Sequence, residues 1–503
     1  MECNWQSVVE LSQELQSGKI TCKELVEACW RRIQEREEQI HAWAFLNDKE
    51  TLLQEAQVLD TELQSCSEQS ASGYRGRSWI HGIPVALKDI VETEDMPTNY
   101  GCSPEYISNK QRTIAHKKTK DADLVKRLKK AGAIILGKTV STEFGVSMDA
   151  PVTRNPNNIS FSPGGSSSGS AAAVADGMVP FAFGAQTAGS VIRPAAFCGI
   201  FGYKTSYEKL PLDGIRPVAP SIDALGVFVR SLEDIPIIMK SIGAWNEEGI
   251  DTVLEDTSFS SQVTTLTRDN LLLAFCKTPF WDSLPEYYTK AILRTVDQLR
   301  VQAKVRDLVL PEPFVTVFEN HSHVMLWEVT QVFRELEQLE KDNRWPAGAT
   351  VGQFVRSIPQ LAHNYGEDAY RCVLRTASLL RQVMKRPAEE GDGLLYRNEL
   401  ILCPSTSGEA PPVSQEAVDS LESSGTLSPV LGSQRASFGG KPGTTGDSLF
   451  QRGWTLLHCP AINIPIGRGP RGLPIGIQLV APAGEDEHLV HSAQVLTTLL
   501  MRK

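Results

Sequence analysis

Short apolar runs alternate with helix-like segments in the first half of this 503-residue chain. The run GIPVALKDIV at 82–91 is bounded by Gly and Pro, which is typical of a buried strand. A helix predicted over 122–131 ends at Gly132, and the apolar run AIILG at 133–137 follows it. Strand–helix–strand alternation of this kind predicts an α/β fold with a mixed or parallel sheet.

Strand patterns return near the C-terminus, at 399–403, 460–467 and 473–482. Residues 1–66 are predicted to be helical, with a capping box TCKE that begins at Thr21. Because strands come from both halves of the chain, we predict one large domain. It would have a central mixed β-sheet flanked by helices on both sides.

Composition and charge limit the partners and the compartment. The chain has a net charge of −10 at pH 7, which argues against the basic surface that nucleic acids bind, so we expect no nucleic-acid partner. No stretch approaches the ~18 apolar residues that a transmembrane helix needs. The ten cysteines show neither C-x-x-C nor a framework spacing, and the N-terminus has no secretory pattern. These features predict a cytoplasmic protein with no transmembrane segment.

A serine-rich tract, GGSSSGS at 164–170, raises the question of function. It runs directly into apolar segments, which argues against a flexible linker. It also lacks the Lys and following Ser or Thr that a phosphate-binding Walker loop requires. A G-x-S-x-G pattern centred on Ser167 matches a nucleophile elbow, and His458, His488 or His491 could follow as its base. Any serine tract between glycines meets this pattern, so the match is weakly specific.

A different interpretation combines serines with a lysine. A serine hydroxyl becomes nucleophilic when a base takes its proton, and a lysine that burial keeps neutral can be that base. Lys88 lies inside the apolar run 82–91, where a charged amine is costly. The competing interpretation is that Lys88 reaches solvent or pairs with a buried acid, and Lys88 alone does not decide between them.

Three longer segments change that balance. GIPVALKDI, PGGSSSGSAAAVADGMVP and GAQTAGSVIRPAAFCGIFGYKTS resemble the signature segments of the amidase signature family. LGKTVSTEFG, TRNPNN, SPVLGS and the segment from GDSLFQRGWTLLHCP to GIQLVAP also resemble this family. The resemblance implies the amidase signature fold and hydrolysis of a carboxylic amide to a carboxylate plus ammonia or an amine.

The resemblance also implies a Ser–cis-Ser–Lys triad. Its lysine falls on Lys88, its bridging serine, which follows a cis peptide bond, on Ser166, and its nucleophile on Ser190. Ser190 would form an acyl-enzyme, while Ser166 and neutral Lys88 relay the proton to the leaving nitrogen. The implied oxyanion hole consists of the backbone N–H groups of Thr187, Ala188, Gly189 and Ser190.

Three positions near this triad depart from the family pattern. Many members have Asp at the position of Gln186, Gly at Ala188 and Arg at Ile192. In this chain an arginine comes one residue later, as Arg193. The support that the family's Asp and Arg give to the loop therefore cannot be carried over.

Other functions stay open at this stage. One is a glutaminase-type subunit of a tRNA-dependent amidotransferase, although the chain is acidic and lacks the glycine- and serine-rich stretch expected at 144–148. Another is a catalytically silent biosynthetic or binding homologue. A zinc hydrolase is disfavoured because His321 and His323 fall on different faces of a helix, and His488 and His491 lack a third ligand. We expect no metal and no cofactor, a small-molecule amide as substrate and, from the resemblance, a homodimer.

The chain can be divided on this basis. The long polar loop at 404–446 is predicted to cover the substrate. The predicted parts are N-terminal helices (1–66), a catalytic core (79–245), a mainly helical excursion (247–400), a long polar loop (404–446) and a C-terminal return to the core (447–503).

Overall fold

The computed structural model describes residues 2–65, 74–102, 120–245, 270–333, 355, 358, 366–414 and 441–501. Within them the chain forms a single large α/β domain on one eleven-stranded mixed sheet, which confirms the predicted fold class. The strand order is β1-β3-β2-β4-β6-β5-β10-β11-β9-β7-β8. The strands are β1 Trp43–Leu46, β2 Pro84–Lys88, β3 Ile134–Thr139, β4 Phe181–Gln186, β5 Phe201–Lys204, β6 Ala224–Val229, β7 Leu272–Cys276, β8 Lys304–Leu308, β9 Glu399–Pro404, β10 Ala461–Arg468 and β11 Pro474–Val480.

Twelve α-helices lie in the described part of the chain. The predicted capping box at Thr21 is confirmed, because its side chain accepts from the Glu24 N–H and the Glu24 carboxylate accepts from the Thr21 N–H. None of these helices is both long and apolar enough to cross a bilayer. The helices are α1 Val8–Ser17, α2 Cys22–Ile40, α3 Lys49–Ser65, α4 Asp123–Ala131, α5 Ser168–Ala175, α6 Ile192–Cys198, α7 Asp234–Ser241, α8 Glu286–Arg300, α9 Glu312–Val332, α10 Glu367–Lys385, α11 Leu449–Leu456 and α12 Asp486–Met501.

The centre of the sheet is buried on both faces. Every residue of β2, β3, β6, β9 and β11 is buried, which requires packed elements above and below the sheet. This burial explains why these strands appear in the sequence as continuous apolar runs rather than as alternating patterns.

The arrangement of β2, β3 and β4 determines where the functional residues meet. Strand β2 lies between β3 and β4 and runs parallel to both. The carboxyl ends of parallel strands lie at one edge of a sheet, where side chains from different segments come together. Lys88 ends β2 and Gln186 ends β4, so the lysine and the loop that begins at residue 187 share this edge.

The segment 247–400, predicted to be mainly helical, contains strands as well as helices in its described part. The long helices α8, α9 and α10 lie in this part, which also supplies β7 and β8. Both strands run parallel in the same sheet, and β7 pairs with β9. Neither strand was predicted from the sequence, and KVRDL of β8 has the mixed polarity of an edge strand with exposed residues. In the long polar loop 404–446, residues 415–440 lie outside the described residues, so the predicted substrate cover stays a prediction.

Candidate active site

Lys88 is held in the interior at the end of β2. Its side chain is 1% exposed, and Nζ lies 2.6 Å from Ser166 Oγ and 3.5 Å from the Ala185 carbonyl oxygen. Burial lowers the pKa of Lys88 to about 7; the negative charge of Asp223 opposes this shift and the Arg193 guanidinium adds to it. An amine in this position is neutral in a large fraction of molecules near pH 7, so it can accept a proton.

Ser166 reaches Lys88 from the serine tract. The peptide bond between Gly165 and Ser166 is cis, as the resemblance implied. The neighbouring hydroxyls are used locally: Ser168 Oγ donates to the Gly164 carbonyl at 2.7 Å, and Ser167 Oγ donates to the Ala185 carbonyl at 3.2 Å. Of the three consecutive serines, Ser166 is therefore the one that contacts the buried lysine.

The nucleophile-elbow interpretation of Ser167 finds no histidine partner among the described residues. His458 Nε2 contacts the Ser221 carbonyl at 2.8 Å, and His488 Nε2 contacts the Asn398 carbonyl at 3.0 Å. The Ser167 hydroxyl is bonded to backbone instead. In the part of the chain that the structure describes, no group of three or more His, Cys, Asp or Glu side chains is arranged to hold a metal ion.

The loop 187–190 is held by its carbonyl groups. Each of the first three carbonyl oxygens accepts a hydrogen bond, and the donors come from three different helices. The contacts are His321 Nε2 of α9 to Thr187 O at 2.8 Å, Thr455 Oγ1 of α11 to Ala188 O at 3.0 Å, and Arg193 N of α6 to Gly189 O at 2.9 Å.

These contacts orient the N–H groups of the same loop. In a trans peptide unit the C=O and the following N–H point in opposite directions, so the N–H groups of Ala188, Gly189 and Ser190 point away from the three donors. None of the N–H groups of residues 187–190 donates a hydrogen bond to a described residue. Aligned N–H groups without protein acceptors can bind an oxyanion.

Gly189 is also closely packed against α11. A Cβ atom at this position would lie 2.7 Å from Gln451 Oε1, which is closer than real Cβ atoms come, and 3.0 Å from Ser448 Cβ, which is tighter than most real contacts. The absence of a side chain thus lets α11 approach the loop.

Ser190 lies at the end of this loop, immediately before α6, and is 7% exposed. Its hydroxyl forms no hydrogen bond with any described residue, so the bonded pair in the structure is Lys88 and Ser166. The loop and the serine tract are nevertheless joined, because the Arg193 guanidinium donates to the Gly165 carbonyl at 3.0 and 2.6 Å.

Asp223 and a cavity complete the site, and the sequence analysis identified neither. The buried Asp223 carboxylate accepts from the Val218 N–H at 2.8 Å, from the Ala219 N–H at 3.0 Å and from the Thr187 hydroxyl. Burial raises its pKa to about 6. A cavity of about 470 Å³ is lined by Lys88, Thr187 and Asp223, and further by Gly145, Ala185 and the segment 207–220. The only sequence indication of Asp223 is an acid directly before the apolar strand β6.

Comparison with known proteins identifies the family. The Amidase family model matches residues 24–490. The chain belongs to the amidase family. Curated relatives include a glutamyl-tRNA(Gln) amidotransferase subunit from Agathobacter rectalis, 26% identical over 509 residues that cover 97% of this chain and 92% of the relative.

Solved structures of other proteins share the fold of this chain. The peptide amidase from Stenotrophomonas maltophilia aligns with a TM-score of 0.70 and 23% identity, covering 98% of this chain and 96% of that one. A 6-aminohexanoate cyclic dimer hydrolase complexed with substrate aligns with a TM-score of 0.71 and 22% identity, covering 99% and 98%.

The departures from the usual amidase pattern have structural replacements. Gln186 Oε1 accepts from the backbone N–H groups of Val191 and Ile192 at 2.9 and 3.1 Å, and its Nε2 donates to Thr455 Oγ1 at 3.0 Å. Arg193, buried in α6, donates to the carbonyls of Gly165 and Gly446. A neutral amide and a shifted arginine therefore support the loop in this chain.

Proposed function

We propose that this amidase-family chain hydrolyses a small-molecule carboxylic amide to a carboxylate plus ammonia or an amine. The observation that carries the proposal is the buried Lys88 amine, 2.6 Å from the Ser166 hydroxyl, with a pKa lowered to about 7 by burial. A lysine with that pKa serves as a proton acceptor at neutral pH, and a hydroxyl in contact with it serves as a relay. Family membership supports a hydrolase of C–N bonds.

In the proposed mechanism Ser190 Oγ attacks the amide carbonyl carbon. Its proton passes to Ser166 Oγ as Ser166 gives its own proton to neutral Lys88. The Ser190 hydroxyl can rotate about its C–O bond, and in this mechanism it forms its hydrogen bond to Ser166 when substrate is bound. The developing oxyanion binds the N–H groups of residues 187–190, where each preorganised donor contributes about 3–4 kcal/mol. The relay then returns the proton to the leaving nitrogen. Water releases the acyl group from Ser190 by the same route.

Covalent labelling tests the assignment of the nucleophile. A fluorophosphonate probe should modify wild-type protein at Ser190, and Ser190→Ala should lose both labelling and at least about 1,000-fold in amide turnover. Ser168→Ala is the matched control from the serine tract, since its hydroxyl bonds the Gly164 carbonyl, and it should still be labelled. Labelling of a different serine in Ser190→Ala, with turnover retained, would refute the assignment.

A second candidate is the glutaminase subunit of a tRNA-dependent amidotransferase. It is favoured by the curated relatives, which include an amidotransferase subunit matched over 97% of this chain. The two candidates share the same chemistry at Ser190 and differ in substrate and in dependence on partner proteins. The acidic net charge of −10 means that a tRNA would have to be bound mainly by partner subunits.

Purified protein separates the two candidates. A free-standing amidase should release ammonia or amine from members of a panel of simple amides and should give a homo-oligomer or monomer by light scattering. A glutaminase subunit should act on glutamine in preference to the panel and should be activated by added amidotransferase partners. Activation of glutamine hydrolysis by those partners, with no turnover of the panel, would overturn the first candidate.

A further inference from the structure

The cavity beside Lys88 has apolar walls and one cation without a partner among the described residues. Its lining includes Ile90, Leu210, Leu212, Ile215 and Val218, together with prolines of the segment 211–220. Its basic lining residues, among those described, are Lys88 and Arg216. Lys88 is engaged with Ser166, so the guanidinium of Arg216 is the permanent positive charge on this wall.

Three aromatic rings hold that guanidinium in place. Its central carbon lies 5.2 Å from the ring centre of Tyr100, 4.8 Å from that of Phe144 and 5.0 Å from that of Phe333. Such contacts fix the plane of an arginine but use none of its N–H donors. The Arg216 side chain forms no hydrogen bond or ion pair with the described residues, and its Nε is buried without an acceptor.

The backbone ties Arg216 rigidly to the proposed catalytic edge. The Arg216 N–H donates to the Ile90 carbonyl at 3.0 Å, and Val91 forms a bridge with Ile215, just beyond the end of β2. The backbone N–H groups of Val218, which lines the cavity, and of Ala219 donate to the Asp223 carboxylate, which also accepts from the Thr187 hydroxyl. Arg216 and Thr187, the first residue of the loop 187–190, thus belong to one hydrogen-bonded framework, and both line the cavity.

We propose that Arg216 binds a carboxylate at the far end of the substrate, so that the preferred substrates are half-amides of dicarboxylic acids or amides of similar charge. A planar guanidinium with free donors matches a carboxylate in two parallel hydrogen bonds. A single charge-neutralising group among apolar walls suits a monoanion better than a phosphate dianion, which needs several donors. Both oxygens of Asp223 are already occupied, and Glu208 is exposed at the rim, so neither competes for the guanidinium.

The inference rests on the proposed amidase function, and a matched substrate series tests it. The probes are succinamate, glutaramate and adipamate, each compared with the neutral diamide of the same length, with ammonia release as the readout. Wild-type protein should favour the best half-amide over its diamide by about 10- to 100-fold in kcat/KM. In Arg216→Met this ratio should fall at least tenfold, mainly through KM, and Arg216→Lys should fall in between.

Arg300→Met is the control, because Arg300 lies on α8 with its ion pairs to Asp297 and Asp307 and does not line the cavity. It should keep the wild-type ratio. An equal ratio in Arg216→Met and Arg300→Met, or a wild-type enzyme that does not distinguish half-amides from diamides, overturns the inference. Arg216→Gln replaces Arg216→Met if the latter does not fold.

A binding measurement separates this inference from the proposed function. Succinate, glutarate and adipate are titrated calorimetrically into wild-type protein and into Arg216→Gln. Binding of one of them that is lost in Arg216→Gln supports the carboxylate site even if no amide is turned over, in which case the proposed function alone fails. Turnover of diamides with no dicarboxylate binding and no half-amide preference leaves the proposed function standing and refutes the site.

Discussion

The ionisation of Lys88 gives a prediction that can be worked out quantitatively. With a pKa of about 7, the neutral amine makes up about half of the molecules at pH 7, about 10% at pH 6 and about 1% at pH 5. Because the proposed base is the neutral form, kcat/KM for a neutral amide should rise with pH through 7 and level off above about pH 8. Below pH 6 it should fall about tenfold per pH unit.

The assay is ammonia release from a neutral diamide between pH 5 and 9 at constant ionic strength. A neutral substrate keeps its own titration out of the profile, and circular dichroism at each pH confirms that the protein stays folded. A flat profile over this range, or a rate that still rises about tenfold per pH unit up to pH 9, as the ordinary lysine pKa of about 10.4 requires, would refute a buried neutral amine as the base.

Asp223→Asn sharpens this test. The carboxylate of Asp223 raises the pKa of Lys88, so removing its charge should move the midpoint to lower pH. The amide oxygen of Asn can still accept from the Val218 and Ala219 N–H groups. Because the Asp223 pKa is itself raised to about 6, the wild-type profile contains a second ionisation that the variant should lose. Asp297→Asn, at an exposed position on α8, is the control and should leave the midpoint in place; an upward shift in Asp223→Asn would contradict the argument.

Two further predictions concern the loop 187–190. His321→Ala removes the donor to the Thr187 carbonyl and should lower kcat about tenfold and the free energy of unfolding by about 1–3 kcal/mol, as measured by kinetics and urea denaturation. Partial recovery of kcat in His321→Gln, with KM little changed in both variants, would show that His321 acts by positioning the loop rather than by packing alone. Gly189→Ala brings a Cβ atom against Gln451 and Ser448, so it should lower the free energy of unfolding by about 1–3 kcal/mol and abolish most fluorophosphonate labelling. A wild-type labelling rate at unchanged Tm would show that the loop tolerates a side chain at this position.

The sequence determined the fold class and most element positions because these depend on local patterns. Short continuous apolar runs such as that of β2 are typical of strands buried on both faces. Gly132 ends α4 in a left-handed conformation that glycine adopts without strain. The proposed triad positions also came from local motifs, through the family resemblance. Strands β7 and β8 were not predicted: β8 is an exposed edge strand without a continuous apolar pattern, and a short apolar run such as that of β7 cannot be told from a buried helical segment by periodicity alone.

Only the tertiary structure decided how the site is supported and what faces it. His321 lies 134 residues from Thr187 and Thr455 lies 267 residues from Ala188, and no local pattern links a hydrogen-bond donor to a carbonyl so far along the chain. The lowered pKa of Lys88 depends on complete desolvation by packing from several segments, which the apolar run 82–91 indicated but could not establish. The three rings around Arg216 likewise come from separate parts of the chain, so the guanidinium that they hold against the cavity becomes visible only when the polypeptide is folded.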